Sequence, residues 1–305
     1  MSTIWTGGLL TGGVLTGSFD PVTDPDTVAY VQAVETADGQ ALEPGMDYVY
    51  NDFITGLKLD GIWNKIGACC ILAGARTLAG ALVPLRGPAP TNNSFVAADY
   101  SRTLGLDGDG TVPKYLDTNY NSTDDPEDDV HCCIYTPTPQ SSITSNEVLF
   151  GYDIGFGSAV DVTRRTAYWD HGCRTTAATS TQNPEKEGLV GVSRALPTSY
   201  QLRAGQTTIT RVASSLTTTQ TIPYYIFASY HTSYNPPISA SRYSHQISFY
   251  SIGGSVDLEQ MEFRVNRLLG LIAYLQVSGL PSIYTMDLDA AAYIGNGYTA
   301  GGSLS

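Results

Sequence analysis

The tetrad Tyr168-Trp169-Asp170-His171 is the arrangement in this sequence best suited to recognising a small polar ligand. Aromatic faces stack on the apolar side of a sugar ring, while a carboxylate and an imidazole hydrogen-bond its hydroxyls. A core aromatic packed beside a turn would read the same way. A second group is the acidic run Asp107, Asp109, Asp117, Asp124, Asp125, Glu127, Asp128 and Asp129, whose oxygens are the kind that hard cations take. Asp107-Gly-Asp109-Gly lacks the spaced acceptors and closing glutamate of an EF-hand, so a solvated acidic loop is the leading reading. Calcium is the alternative there, and no metal or other cofactor is indicated.

The remaining reactive types do not assemble into a motif. His131, His171, His231 and His245 have neither HExxH nor HxxxH spacing. Cys69-Cys70, Cys132-Cys133 and Cys173 form no CxxC zinc pattern and no evenly spaced disulfide framework, and adjacent cysteines in a strand or helix point in different directions. The expectation is buried, reduced thiols in a protein made in a cytoplasm. No nucleophile elbow, phosphate-binding lysine loop or dinucleotide fingerprint is present. Paired carboxylates for glycoside hydrolysis are permitted by so acidic a chain without being pointed to by any spacing.

The elements that must position these residues are mostly strands. The 305 residues include 31 Gly, 16 Pro and 20 Tyr with only 15% charged, which is the composition of turn-rich β structure. A net charge of −13 argues against a nucleic-acid partner, because phosphate binding needs a clustered positive surface. The opening MSTIWTGGLLTGG carries no basic segment followed by an apolar core, and no apolar run reaches membrane-span length, so neither a secretory signal nor a membrane partner is expected.

Asp24-Pro25 predicts a helix start, with Asp38-Gly39 ending it. A second helix is expected over about Pro44–Thr55 with Gly56 at its end, and a third from Asp60 through Trp63, Ile66, Cys70 and Leu72 to Gly74. From Ala81 breakers recur at short intervals, with candidate strands at Phe95–Ala98, Lys114–Asp117, Val130–Tyr135, Glu147–Tyr152, Val160–Val162, Thr166–Trp169, Gly188–Arg194, Tyr200–Arg203, Thr207–Val212, Tyr224–Tyr230 and Ile247–Ile252. A last helix is expected over about Leu258–Leu275, opened by Ser255 or Asp257, with Arg264 and Arg267 pointing outward. The division is therefore a Gly/Thr-rich anchor arm over 1–23, a small helical module over 24–80, a β-sandwich over 81–280 and a C-terminal arm over 281–305. In the first arm, Thr-Gly repeats at a spacing of five present Leu9, Leu10, Val14, Leu15 and Phe19, an apolar set that a short arm would order against a neighbouring subunit.

The order of phrases DGIW, LAGARTLAGALVPLRG, PTNNSF and DYSRTLGLDGDGTVPKYLDTN within Phe53–Asn119 and just beyond, with echoes at Gly188–Arg194 and Phe249–Leu258, resembles structural proteins of tailed bacteriophages. The resemblance covers roughly 25–270 and implies a concanavalin A-like (laminin-G-like) jelly roll behind a small helical module. What it implies of function is a non-enzymatic virion component: a fibre, spike or tail appendage that touches host glycans, or, alternatively, a head decoration (cement) protein. It would fold in the bacterial host cytoplasm and assemble with itself, a homotrimer being the common arrangement of fibres, and with other virion proteins through its arms. The reading of another class is a polysaccharide depolymerase or glycosidase, which needs two opposed carboxylates, one with a raised pKa.

Overall fold

A computed structural model describes residues 21–108, 114–137, 147–153, 159–164, 169–175, 179–181, 188–217, 220–231, 238–240 and 246–278. The helices are α1 (Pro25–Asp38), α2 (Met46–Leu59), α3 (Leu78–Ala81) and α4 (Leu258–Ser278). The strands in the first half are β1 (Ile66–Ile71), β2 (Thr91–Asn93), β3 (Tyr100–Ser101), β4 (Gly105–Asp107), β5 (Tyr115–Asn121), β6 (Val130–Thr136), β7 (Glu147–Asp153) and β8 (Ala159–Arg164). Those in the second half are β9 (Trp169–Thr175), β10 (Thr179–Thr181), β11 (Gly188–Leu196), β12 (Ser199–Ala204), β13 (Thr207–Val212), β14 (Pro223–Ile226), β15 (Ala228–His231), β16 (Ile238–Ala240), β17 (Gln246–Ile247) and β18 (Phe249–Gly253).

The strands build a β-sandwich. One sheet has six strands in the order β1-β18-β6-β11-β12-β13, a second runs β10-β9-β8-β7-β14-β5-β2 with β15 and β16 attached at β7, and β17-β4-β3 form a small third. Pairing is antiparallel except between β15 and β7. One core lies between the sheets, where Cys132, Ile134, Val190, Val192 and Ile252 meet Phe150, Val160, Val162 and Trp169. A second core lies on the other face of the six-stranded sheet, where Cys69, Ile71, Cys133, Leu189 and Phe249 meet α1, α2 and α4. The molecule is thus three layers: helices, sheet, sheet. Phe53 of α2 meets Phe249 of β18 edge-on, ring centroids 5.9 Å apart, which fixes the helices over the strands nearest β18.

The first helix follows its sequence signals. Asp24 accepts from the N–H groups of Asp26 and Thr27, and Gly39 takes the left-handed conformation (φ 67°) that ends the helix. The expected third helix is instead a turn, Trp63–Lys65, followed by β1. Its residues bury both faces, Cys69 and Ile71 toward the helices and Cys70 toward the other sheet, so the run is apolar at every position and shows no strand period. The α2 helix runs past Gly56 to Leu59. Gly56 is required there by close approach, because a Cβ would come within 2.7 Å of the Arg264 guanidinium. Arg264 and Arg267, expected to face outward, turn toward α2: Arg264 bonds both oxygens of Asp60 (2.6 and 2.9 Å) and Arg267 those of Asp52 (2.7 and 3.2 Å). The expected strand at Phe95–Ala98 is a turn leading into Ala97–Asp99, with β2 lying just before it. Both arms, including Leu9, Leu10, Val14, Leu15 and Phe19, lie outside the described residues.

Candidate functional site

Trp169, Asp170 and His171 open β9, an inner strand flanked by β8 and β10. Trp169 is 1% exposed and packs between the sheets, so its ring cannot stack on a sugar, and the expectation of a glycan contact there is corrected. Tyr168 lies outside the described residues. Asp170 accepts from the Ser180 hydroxyl at 2.6 Å, across the β9–β10 pair. His171 is fully buried, with Tyr200 Oη 3.0 Å from Nδ1 and Thr181 Oγ1 2.8 Å from Nε2; Arg211 also donates to Thr181 Oγ1. Burial, reinforced by the Arg211 charge, lowers the His171 pKa to about 4. A neutral ring with its proton on Nε2 satisfies this geometry. His171 and Thr181 therefore fasten β10 of one sheet to β12 and β13 of the other.

The acidic run is drawn apart by separate partners. Asp107 accepts from Gln246 on β17, Asp124 from the Asn121 N–H and Asp125 from the Tyr120 hydroxyl. Glu127 accepts from Thr217, while Asp129 binds Lys65 and both the N–H and hydroxyl of Ser255. Among the described residues no three metal-ligating side chains converge, and Asp109 lies outside them. Asp125 is raised to about 6 by burial, which outweighs the Tyr120 hydrogen bond and the Arg174 charge.

Two adjoining clefts, of about 500 and 410 Å³, flank the segment Ser255-Val256-Asp257 at the head of α4. The larger is walled by Ser193, Leu196, Ser199, Gln201 and Thr210, and the smaller by Asp60, Ile62, Lys65 and Gln260. Pairing aligns β11, β12 and β13 so that Ser193 sits beside Gln201 and Gln201 beside Thr210, making a polar stripe where the helical layer stops. Asp257 caps α4 by accepting from the N–H groups of Glu259 and Gln260, so the helix end already holds its anion. The walls offer hydroxyls, amides, two carboxylates and the Lys65 ammonium, chemistry that suits a neutral hydroxylated ligand. Asp60 is held low by the hydrogen bond from Arg264, the reverse of what a general acid requires. Asp129, beside the clefts, is pushed up by burial, but Ser255 and Lys65 outweigh that and hold it below the usual carboxylate range.

These lining residues carried no motif in the sequence. Their signal is the polar parity of Ser193, Gln201 and Thr210, which becomes readable only once β11–β13 are paired and α4 is placed.

The cysteine thiols are committed to packing. Cys69, Cys70, Cys132, Cys133 and Cys173 are all buried and unpaired by disulfides. Burial raises every one of these thiols, Cys70 and Cys173 to about 12. A thiol-reactive chromogenic disulfide at pH 8 is expected to label none of them in the native protein over an hour, and all five after denaturation. Rapid native labelling of even one would contradict this burial.

No family model and no curated protein matches the chain. Solved structures similar to it include the botulinum neurotoxin serotype D binding domain, 8% identical over 66% of this chain and 51% of that chain, with a TM-score of 0.44. A mutant of Trypanosoma rangeli sialidase displaying trans-sialidase activity is 9% identical, over 73% of this chain and 39% of that one, TM-score 0.41. The CBM40 domain of Ruminococcus gnavus IT-sialidase is 12% identical over 49% and 92% respectively, TM-score 0.33. The chain spans about half the length of the toxin domain it matches. At these similarities the site rests on this chain's own residues.

Proposed function

We propose that this protein is a non-enzymatic structural component on the exterior of a tailed-phage particle, a fibre, spike or tail appendage. The observation that carries the non-enzymatic reading is the use of its ionisable groups. Of the carboxylates at the clefts, Asp60 is held by Arg264 and Asp257 caps α4, the nearby Asp129 is held by Ser255 and Lys65, and His131 and His171 are buried with both ring nitrogens hydrogen-bonded. Among the described residues these groups are tied up in holding three layers together, which suits a rigid building block. The virion setting is supported by the resemblance over about 25–270 and by the apolar residues of the N-terminal arm, which would engage neighbouring virion proteins or copies of itself. Contact with host glycan, if it is made by this body, falls to the polar clefts.

Gold-labelled antibody on purified particles tests the reading: label at the tail supports an appendage, label over the head makes it a decoration protein, and particles without the chain refute a virion role. Release of reducing sugar from host surface polysaccharide by the isolated protein would instead establish the depolymerase.

A further inference from the structure

The six-stranded sheet ends on one side at β13, and no described residue pairs beyond it. Its other end is covered, since Cys69 of β1 exchanges backbone hydrogen bonds with Leu85 and Arg86. The end strands β10 and β2 of the second sheet are three residues each, half the length of β13. Open edges are normally blunted by lysine, proline, a bulge or brevity. The β13 sequence Thr-Thr-Ile-Thr-Arg-Val has no lysine, proline or bulge and a single charged residue, Arg211, and it pairs with β12 through six consecutive residues without a register shift.

Which backbone groups face outward follows from the hairpin. Gly205 and Gln206 both have positive φ (56° and 58°), as in a two-residue type I′ turn, so Ala204 and Thr207 form the hydrogen-bonded closing pair. Thr207, Ile209 and Arg211 therefore bond inward to β12. The same parity continues at Ala213 and Ser215, which donate to Thr198 and Pro197. Thr208, Thr210 and Val212 turn their N–H and C=O groups to the open side. Val212 is 91% exposed, and register places it across Ser199 from Leu196, which is 56% exposed, so an apolar patch reaches this edge.

Charge selects the occupant. The chain carries −13, yet between Glu187 and Asp257 its sequence holds no Asp or Glu. Two of the arginines of this stretch are turned inward, Arg203 to Glu262 and Arg194 to backbone carbonyls. The β13 edge is thus a threonine-rich border that carries one cation, Arg211, and no carboxylate on a strongly acidic molecule, where two copies can meet without opposing their carboxylates. A two-fold axis through Thr210 would set Thr208 against Val212 and Ile209 against Arg211, with no like charges opposed and with the outward-facing groups in hydrogen-bonded pairs.

We propose that β13 pairs antiparallel with β13 of a second copy about a two-fold axis at Thr210, joining their six-stranded sheets into one continuous sheet. This stands independently of the virion setting.

Sedimentation velocity of the full chain across a concentration series, with amide hydrogen exchange, tests it. The wild type sediments as a dimer or a multiple of one, and the Thr208, Thr210 and Val212 amides gain protection as concentration rises. Thr210→Pro removes an outward donor and no internal ladder bond, and it weakens association by about tenfold or more with unchanged circular dichroism. Val212→Lys, which leaves the backbone untouched, does the same and serves if the proline variant folds poorly. A wild type that stays monomeric up to about 100 μM, edge protection independent of concentration, or an assembly indifferent to both variants overturns the proposal.

Discussion

Glu262→Ala is expected to destabilise the protein by about 3–5 kcal/mol, the cost of leaving a buried charge without its partner. The Glu262 carboxylate projects from α4 into the six-stranded sheet with its side chain 3% exposed. One oxygen takes the Arg203 Nε of β12 at 2.5 Å and the other the Leu189 N–H of β11 at 3.1 Å. Arg203 also donates to Thr208 on β13, so one carboxylate links the helical layer to three neighbouring strands. After truncation Arg203, itself 8% exposed, would keep the Thr208 hydroxyl but, as a charged partner, only Glu259, which lies 3.7 Å away and is mostly in water. Glu262→Gln keeps an acceptor for Leu189 and is expected to lose less. Replacing both residues by methionine should recover most of the loss, because the pair's desolvation cost disappears with it. Urea unfolding midpoints of the three variants decide the matter; a single-variant loss below about 1 kcal/mol would mean that solvent reaches Arg203 in the native state.

The elements that were legible in the sequence are those specified locally. Asp24-Pro25 and Gly39 bound α1 by capping chemistry that needs no tertiary partner, Asp257 opens α4 in the same way, and β13 begins and ends at the expected residues, Thr207 and Val212. What was illegible depends on partners distant in sequence. The β1 strand reads as a helix because helices cover one of its faces and a sheet the other, which erases the alternation. Arg264 and Arg267 look like solvent-facing charges until α2 places Asp60 and Asp52 against them. Trp169-Asp170-His171 has the composition of a sugar site, and only the position of β9 inside its sheet shows the ring to be core. The clefts were hidden for the same reason: their walls come from β11, β12, β13 and the approach to α4, and no single stretch contains enough of them to form a pattern.

Stability is expected to fall steeply as the pH drops from 7 toward 4, and the histidines rather than the carboxylates set that slope. His131 is fully buried, its Nδ1 2.6 Å from the Gly254 carbonyl and its Nε2 2.8 Å from the Ser251 hydroxyl. The carbonyl fixes the proton on Nδ1 and Ser251 donates to Nε2, an arrangement that only the neutral ring permits. Burial lowers His131 to about 4, as it does His171. In the unfolded chain both titrate near 6.5, so below that pH the unfolded state binds more protons than the native one. Each histidine thus contributes stability that is complete above pH 6.5 and is lost as pH falls toward 4, about 3 kcal/mol apiece. Asp125 acts with the opposite sign: raised to about 6, it regains about 3 kcal/mol as pH falls through 6 toward the ordinary carboxylate value. For these three groups the balance between pH 7 and 4 is a net loss of about 3–4 kcal/mol, steepest for a variant in which Asp125 is replaced by asparagine. His131→Gln should flatten the profile by about half of the histidine contribution while lowering stability at pH 7. Urea midpoints at half-unit pH steps measure both, and a wild-type profile that is level or rising from pH 7 to 5 would show that the two imidazoles titrate in contact with water.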